Sequence, residues 1–275
     1  MPPDDAPGPL AAPGLSAGAL STSLPERLRL LSYNVQVGVD TKRYREYVTQ
    51  GWKHLLPHPE RLKNLKKIAD VLAGFDMVGL QEVDAGSLRS GFVDITEYLA
   101  GRAGYGYWFR QVNRNIGMFA QHSNGFLSRL RPAVASQYRL PAGPGRGAML
   151  FEFGTGSDAL RVCCVHLALS RRARARQLGF IAELVGDFRH LVVMGDLNTG
   201  CESRELKAFL RGANLKEPAC SGGTFPSWRP NRRLDHILVS QSLEVGQAKV
   251  LDYPISDHLP ISLEVHLPPA VRCTA

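Results

Sequence analysis

Two patterns of apolar and polar residues divide the chain. Leu191, Val192, Val193 and Met194 are four apolar residues in a row, which reads as a buried strand, and Gly195 is expected to end it. Apolar stretches at 29–35 and 76–83 predict two further strands, and the aromatic stretch 105–109 another, with Trp108 packing in the core or at its rim. Closely spaced runs at 125–128, 133–140, 148–153 and 160–167 follow, separated by Gly and Pro. With no helices between them, they predict antiparallel meanders. Three closing strands are expected at 234–239, 248–251 and 260–265. The second pattern is helical. From Pro59 onward, Leu62, Leu65, Ile68, Ala69 and Leu72 recur at helical spacing, and Leu178, Ile181, Leu184 and Val185 do the same within 170–188. Shorter helices are expected at 92–102 and 204–211.

Helices in both halves, between blocks of antiparallel strands, predict an α/β fold of two packed, mainly antiparallel sheets with helices on the outer faces. The 275 residues, 44% of them hydrophobic, suffice for one large domain or two small ones. Without an internal repeat or linker, a single domain over 25–268 is the simplest organisation. Residues 1–24, rich in Pro, Ala, Gly and Ser, read as a disordered N-terminal tail and 269–275 as a C-terminal tail. No basic start followed by an apolar core marks a signal peptide, and no apolar stretch is long enough to span a bilayer, so a cytoplasmic protein is expected. Cys163, Cys164, Cys201, Cys220 and Cys273 include no Cys-x-x-Cys pair. Neighbours in a strand face opposite sides, so Cys163 and Cys164 are expected as buried, reduced thiols.

A net charge of +8 and a pI near 9.4 favour an anionic partner, without choosing among nucleic acid, acidic lipid and phosphate esters. The stretch from Lys42 to Lys53 interleaves Arg43, Arg45, Tyr44, Tyr47 and Trp52. Bases or sugars could stack there, or its rings could pack on the body as an ordinary surface loop. More informative is where single polar residues fall. Apolar runs deliver Asn34, Glu82, Asn124 with Gly125, His166, Asp196 with Asn198, Asp235, and Asp257 with His258. Each alone is ordinary; Gly-Asp-x-Asn, for instance, makes a common turn. Their recurrence at strand ends is not. In an extended backbone Asp196 and Asn198 would face the same side, where they could orient a water or a phosphate oxygen.

These residues lie in a series of motifs: Ser-Tyr-Asn-Val at 32–35, Gln-Glu-Val at 81–83, Ser-Asn-Gly-Phe-Leu-Ser-Arg at 123–129, Val-His-Leu at 165–167, Gly-Asp-Leu-Asn at 195–198, Leu-Asp-His-Ile at 234–237 and Ser-Asp-His-Leu-Pro-Ile at 256–261. The series resembles that of the endonuclease/exonuclease/phosphatase superfamily, in the right order from about Leu28 to Leu267. The resemblance implies a four-layer α/β/β/α sandwich and phosphoester hydrolysis dependent on a divalent metal, Mg²⁺ or Mn²⁺. It implies Glu82 as the main metal ligand, with Asp257 binding the metal directly or through water and Asn34 positioning the metal shell or a phosphate oxygen. Asp196 would orient the attacking water and Asn198 would donate to the phosphate. His166 would donate to a non-bridging oxygen, and Asp235 and His258 would form a carboxylate–imidazole pair. Asn124 joins these as a substrate contact. Gln36 stands where some nucleases of the family carry an Asp as an extra metal ligand, which weakens a second-metal arrangement.

Arg171, Arg172, Arg174 and Arg176 open the helix that Ser170 is placed to cap. Positive charge at a helix N-terminus opposes the macrodipole, so a bound anion could offset it; the bland alternative is pairing with carboxylates on other elements. Arg232 and Arg233, with Trp228, are expected to extend the same substrate rim. The favoured function is a metal-dependent phosphodiesterase acting, by in-line attack of an activated water, on a phospholipid-derived or small anionic phosphoester. Peripheral contact with membrane lipid stays open. An endo- or exonuclease on DNA or RNA is the alternative, a phosphomonoesterase a third, and a catalytically silent anion-binding module of the same fold a fourth.

Overall fold

The structure, a computed structural model, describes residues 8–9, 24–36, 59–116, 120–186, 188–218 and 221–272. The basic and aromatic stretch 42–53, and Cys220 and Cys273, lie outside these residues. In chain order the strands are Gly8–Pro9 (β1), Arg27–Asn34 (β2), Met77–Asp84 (β3), Tyr107–Ile116 (β4), Ala120–Ser128 (β5), Val134–Arg139 (β6) and Gly147–Phe153 (β7). They continue with Leu160–His166 (β8), His190–Asp196 (β9), Leu215–Lys216 (β10), Asp235–Ser240 (β11), Glu244–Val250 (β12) and Ile261–His266 (β13). One sheet runs β12-β13-β2-β3-β5-β4, the other β1-β6-β7-β8-β9-β11-β10. Each is antiparallel except for one pair, β2–β3 in the first and β8–β9 in the second.

Two helices, Pro59–Leu72 (α1) and Ile95–Ala103 (α2), cover the first sheet; Arg171–Val185 (α3) and Arg204–Gly212 (α4) cover the second. The layers are therefore α/β/β/α. Side-chain alternation explains why the central strands are apolar throughout, since both their faces are buried. Leu30 points into the core between the sheets and Leu31 toward α1 and α2. Val192, Met194 and Cys164 point inward in the same way, while Val193 and Cys163 meet α3 and α4. Trp108 packs against the cluster under α1 and α2. Arg129, the last residue of its motif, braces both of those helices: it donates to the carbonyls of Ala73, Phe75, Ala103 and Gly104 and stacks over Tyr105. Among the described residues no helix is long and apolar enough to cross a membrane.

Several boundaries differ from those expected. β9 does not end at Gly195 but passes through it to Asp196. The β4–β5 hairpin is longer than its apolar stretches, because its tip carries Gln111, Asn113, Arg114 and Gln121 and has no hydrophobic signature. Residues 269–272, expected in a tail, form a short helix that buries Val271 between the sheets.

Candidate active site

The parallel pairs β2–β3 and β8–β9 end at the same edge of the sandwich. Register there is tight: His166 lies opposite Asp196 across β8–β9, and Asp235 lies opposite Asp196 across β9–β11. From the other sheet Asn34 donates through Nδ2 to Asp196 Oδ2 at 3.2 Å. Asp196 Oδ1 accepts the backbone N–H of Asn198 at 2.8 Å, so the carboxylate is held at both oxygens. Glu82 sits in a bulge, where the register of β3 on β5 shifts between Leu80 and Val83. Its φ of 56° is uncommon for a side chain of this size, and it brings Oε1 to 4.0 Å from His166 Nε2.

His258 completes the cluster. Its Nδ1 is 2.8 Å from Asp235 Oδ2, its Nε2 is 3.9 Å from Asp196 Oδ2, and the Phe225 ring packs on it with centroids 4.9 Å apart. The segment 224–228 fixes this pair from behind. Thr224 Oγ1 accepts the N–H groups of Leu234 and Asp235, and Ser227 binds the carbonyls of Ser256 and Asp257. Ser256 Oγ in turn donates to the Asn34 carbonyl at 2.7 Å, joining the 256–258 turn to β2.

Burial and charge set the protonation states. Burial pulls the His258 imidazole down, but Asp235, as charge and as hydrogen-bond partner, outweighs it together with Asp196 and Asp257, holding the group at about 10. Burial pushes the Asp196 carboxyl up to about 7; His258 draws it down and Asp235 pushes it up. Burial raises Asp257 to about 6, against His258 and with Glu82 adding to the rise. His166 is driven well below its ordinary value, first by burial and then by Arg146, His258 and His122, so its ring is neutral. A guanidinium only donates, and Arg146 Nη1 is 3.5 Å from His166 Nδ1. The His166 proton is therefore on Nε2, facing Asp196 Oδ2 at 3.5 Å.

The donor set fits a hard divalent cation. Glu82, Asp196, Asp235 and Asp257 face one imidazolium and one guanidinium, and two of the carboxyls are raised, chiefly by burial and further by their acidic neighbours, a cost that a bound cation would relieve. Asp235 Oδ1 is buried without a hydrogen-bond partner. Ligand atoms of Asp196, Asp235 and His258 all lie within 4.8 Å of one another. His258 is committed to Asp235 Oδ2, so the oxygen donors open to a cation are Glu82, the Asp257 oxygen not bound by Ser256 and the unpartnered Asp235 Oδ1.

A cavity of about 470 Å³ opens beside Glu82 and His166, and Asn124 lines it. The structure thus brings together Asn34, Glu82, Asn124, His166, Asp196, Asp235, Asp257 and His258. Three details of local geometry stand beside the expected roles, and one of them, the backbone at Asn198, differs from expectation. Asn34 directs its amide at Asp196, and its Oδ1 accepts the N–H of Gln36. Asn198 does not continue an extended backbone; at φ 52° it turns, and its Nδ2 donates to the Leu167 carbonyl. The rim residues do not line the cavity. Arg171 and Arg174 reach Glu205, Arg174 at 3.0 Å, and Arg233 reaches Glu217 at 3.4 Å. Arg172 and Arg232 are exposed, Arg232 over the Phe225 ring, and Trp228 is half-buried on the bracing segment.

Two residues without a sequence signal matter here. Arg146 lies in a Gly-Pro loop that carries no periodicity, yet it lines the cavity. Asp84 is fully buried two residues after Glu82. Its carboxylate accepts from Gly86, Ser87 (N–H and hydroxyl), Ser90 and the Gln121 N–H, pinning the turn beside Glu82. Asp84→Ala strands these donors and is expected to cost about 3 kcal/mol, read as a lowered midpoint in urea unfolding. An unchanged midpoint would show that the turn does not depend on Asp84.

Comparison with known proteins agrees with this geometry. Residues 31–258 match the model of the Endonuclease/Exonuclease/phosphatase family. The uncharacterized protein YbhP of Escherichia coli is 33% identical over 119 residues, 40% of this chain and 47% of that protein, so the match spans just under half of its length. An endonuclease/exonuclease/phosphatase structure from Beutenbergia cavernae superposes with a TM-score of 0.70 at 18% identity, over 90% of this chain and 73% of that one. The catalytic domain of human Nocturnin, solved with a bound sulfate anion, gives 0.65 at 19% identity, over 90% and 96%.

Proposed function

The chain belongs to the endonuclease/exonuclease/phosphatase family of phosphoester hydrolases, and from that footing we propose that it is a Mg²⁺- or Mn²⁺-dependent phosphodiesterase acting on a small or lipid-derived anionic phosphoester. The observation that carries the proposal is geometric: Asp196 Oδ2 lies 3.9 Å from His258 Nε2, Asp235 Oδ2 holds the other ring nitrogen at 2.8 Å, burial raises the Asp196 carboxyl, and the surrounding carboxylates raise the imidazole. A base poised near neutrality can take a proton, and the acid beside it can give one. Asp196, fixed by Asn34 and the Asn198 N–H, accepts the proton of the attacking water as its oxygen bonds to phosphorus in line with the departing oxygen. His258, held by Asp235, protonates that departing oxygen as its bond to phosphorus breaks. His166 donates its Nε2 proton to a non-bridging oxygen, where charge grows in the transition state. Glu82 and Asp257 would hold the divalent cation, which when bound neutralises phosphoryl charge.

The cavity of about 470 Å³ beside Glu82 and His166 supports a small substrate, and Arg174 and Arg233, engaged by Glu205 and Glu217, add little to a surface that could track a polynucleotide backbone. With Mg²⁺ or Mn²⁺, the purified protein is expected to hydrolyse bis-(4-nitrophenyl) phosphate about tenfold or more faster than 4-nitrophenyl phosphate, and not to nick plasmid DNA. Nicking would move the function to a nuclease, and a faster monoester to a phosphomonoesterase.

A further inference from the structure

Four arginines lie partly or wholly buried among the described residues, and three of them are neutralised. Arg161 meets Glu152 at 3.1 Å, Arg174 meets Glu205 at 3.0 Å and Arg233 meets Glu217 at 3.4 Å. That is what desolvation of a guanidinium requires. Arg146 is the exception. Its polar contacts are the Gly145 carbonyl at 3.3 Å and His166 Nδ1 at 3.5 Å, and no carboxylate of the described residues is within 4.0 Å of it. Burial pulls its pKa down from the ordinary value, with Glu82 and Asp196 opposing from a distance.

The loop that carries Arg146 is held in place. The Leu140 N–H donates to the Arg146 carbonyl at 3.1 Å, and Asn124 Nδ2 donates to the Gly147 carbonyl at 3.4 Å. At Gly147 a Cβ would stand 2.2 Å from Gln111 Oε1, so the loop closes onto β4 only because that side chain is absent. Arg114 and His122 line the same cavity, and the capped first turn of α3 opens onto it through Ser170 and Ala173. Glu82 is the one acidic residue among those lining it. The cavity wall thus carries one carboxylate, Glu82, next to the Asp196 cluster through His166, and the cationic groups Arg146 and Arg114.

We propose that the cationic wall is an anion subsite built on Arg146, so that the substrate carries a second negatively charged group of the phosphate type beside the scissile phosphoester. This rests on the phosphoesterase reading of the adjacent cluster. Arg146 approaches the Nδ1 side of His166 and Asp196 the Nε2 side. The scissile phosphoester, met by the Nε2 proton, and the second anionic group, met by Arg146, therefore lie on the two ring-nitrogen sides of one imidazole, which calls for a short linker between them.

The test uses binding, with ligands that have no ester bond to hydrolyse. By titration calorimetry in Mg²⁺ buffer, propane-1,3-bisphosphonate is expected to bind about tenfold or more tighter than propylphosphonate. Arg146→Gln is expected to reduce that ratio to about twofold, and Arg114→Gln to reduce it by less. Lys207→Gln, an exposed charge change on α4 paired with Glu202, is expected to leave the ratio as it is. Equal affinities in the unmodified protein, or a preference that survives Arg146→Gln, would overturn the subsite. Turnover without the preference removes the subsite and keeps the phosphoesterase; the preference without turnover keeps the subsite and removes the phosphoesterase.

Discussion

Asp196→Asn is expected to lower kcat for a phosphodiester about 10³-fold with little change in KM. The substitution keeps the shape of the side chain and one of its two acceptor oxygens, turns the other toward the donors Asn34 Nδ2 or Asn198 N–H as an NH₂, and removes the buried carboxyl raised to about 7. It relieves the cost of burying the carboxylate and its repulsion by Asp235, against the lost attraction to His258 and one lost acceptor, so the opposing effects on stability partly offset each other. Thermal unfolding within about 3 °C of the unmodified protein, beside the lost turnover, would locate the effect in the chemistry. Turnover within a few-fold of the unmodified protein would remove Asp196 from the role of base.

Among the described glycines, Gly195→Ala is expected to be the most damaging single-methyl change. A Cβ at this position would lie 1.8 Å from the Val165 carbonyl oxygen, and φ is 149°, where side chains are strained. β8 and β9 would have to separate at the point where His166 faces Asp196. Overpacking together with backbone strain amounts to about 4 kcal/mol. For a domain of this size that is a fall of roughly 10 °C in Tm, accompanied by loss of activity. Gly101→Ala in α2 is the control: nothing lies within 4 Å of the added methyl, and a helical Gly→Ala change stabilises by about 0.5–1 kcal/mol. Equal melting temperatures for the two variants would contradict the close approach of the strands.

Gly195 also shows where sequence stops being informative. As a residue type it reads as a strand end, because a turn and a close backbone approach call for the same glycine. Only the position of Val165 on the neighbouring strand distinguishes the two. The layers were legible for a local reason: strands buried on both faces, as at Leu191–Met194, give unbroken apolar runs, and helices give period-four stripes. The site was legible because the same runs end in Asn34, Glu82, His166 and Asp196, and the parallel register carries them to one edge. The arginines were not. Whether Arg174 faces an anion or a carboxylate depends on Glu205, 31 positions away on another helix, and no local pattern records that pairing. Arg146 was invisible for the opposite reason, since a Gly-Pro loop has no period from which to read a direction.

The most direct measurement is the initial rate of bis-(4-nitrophenyl) phosphate hydrolysis across a titration of Mg²⁺ or Mn²⁺, for the unmodified protein and for Asp196→Asn side by side. The expected result is a rate that saturates with the cation, vanishes with EDTA and falls about 10³-fold in the variant. A rate indifferent to EDTA, or one shared by both proteins, would contradict a metal-dependent phosphodiesterase centred on Asp196 and His258.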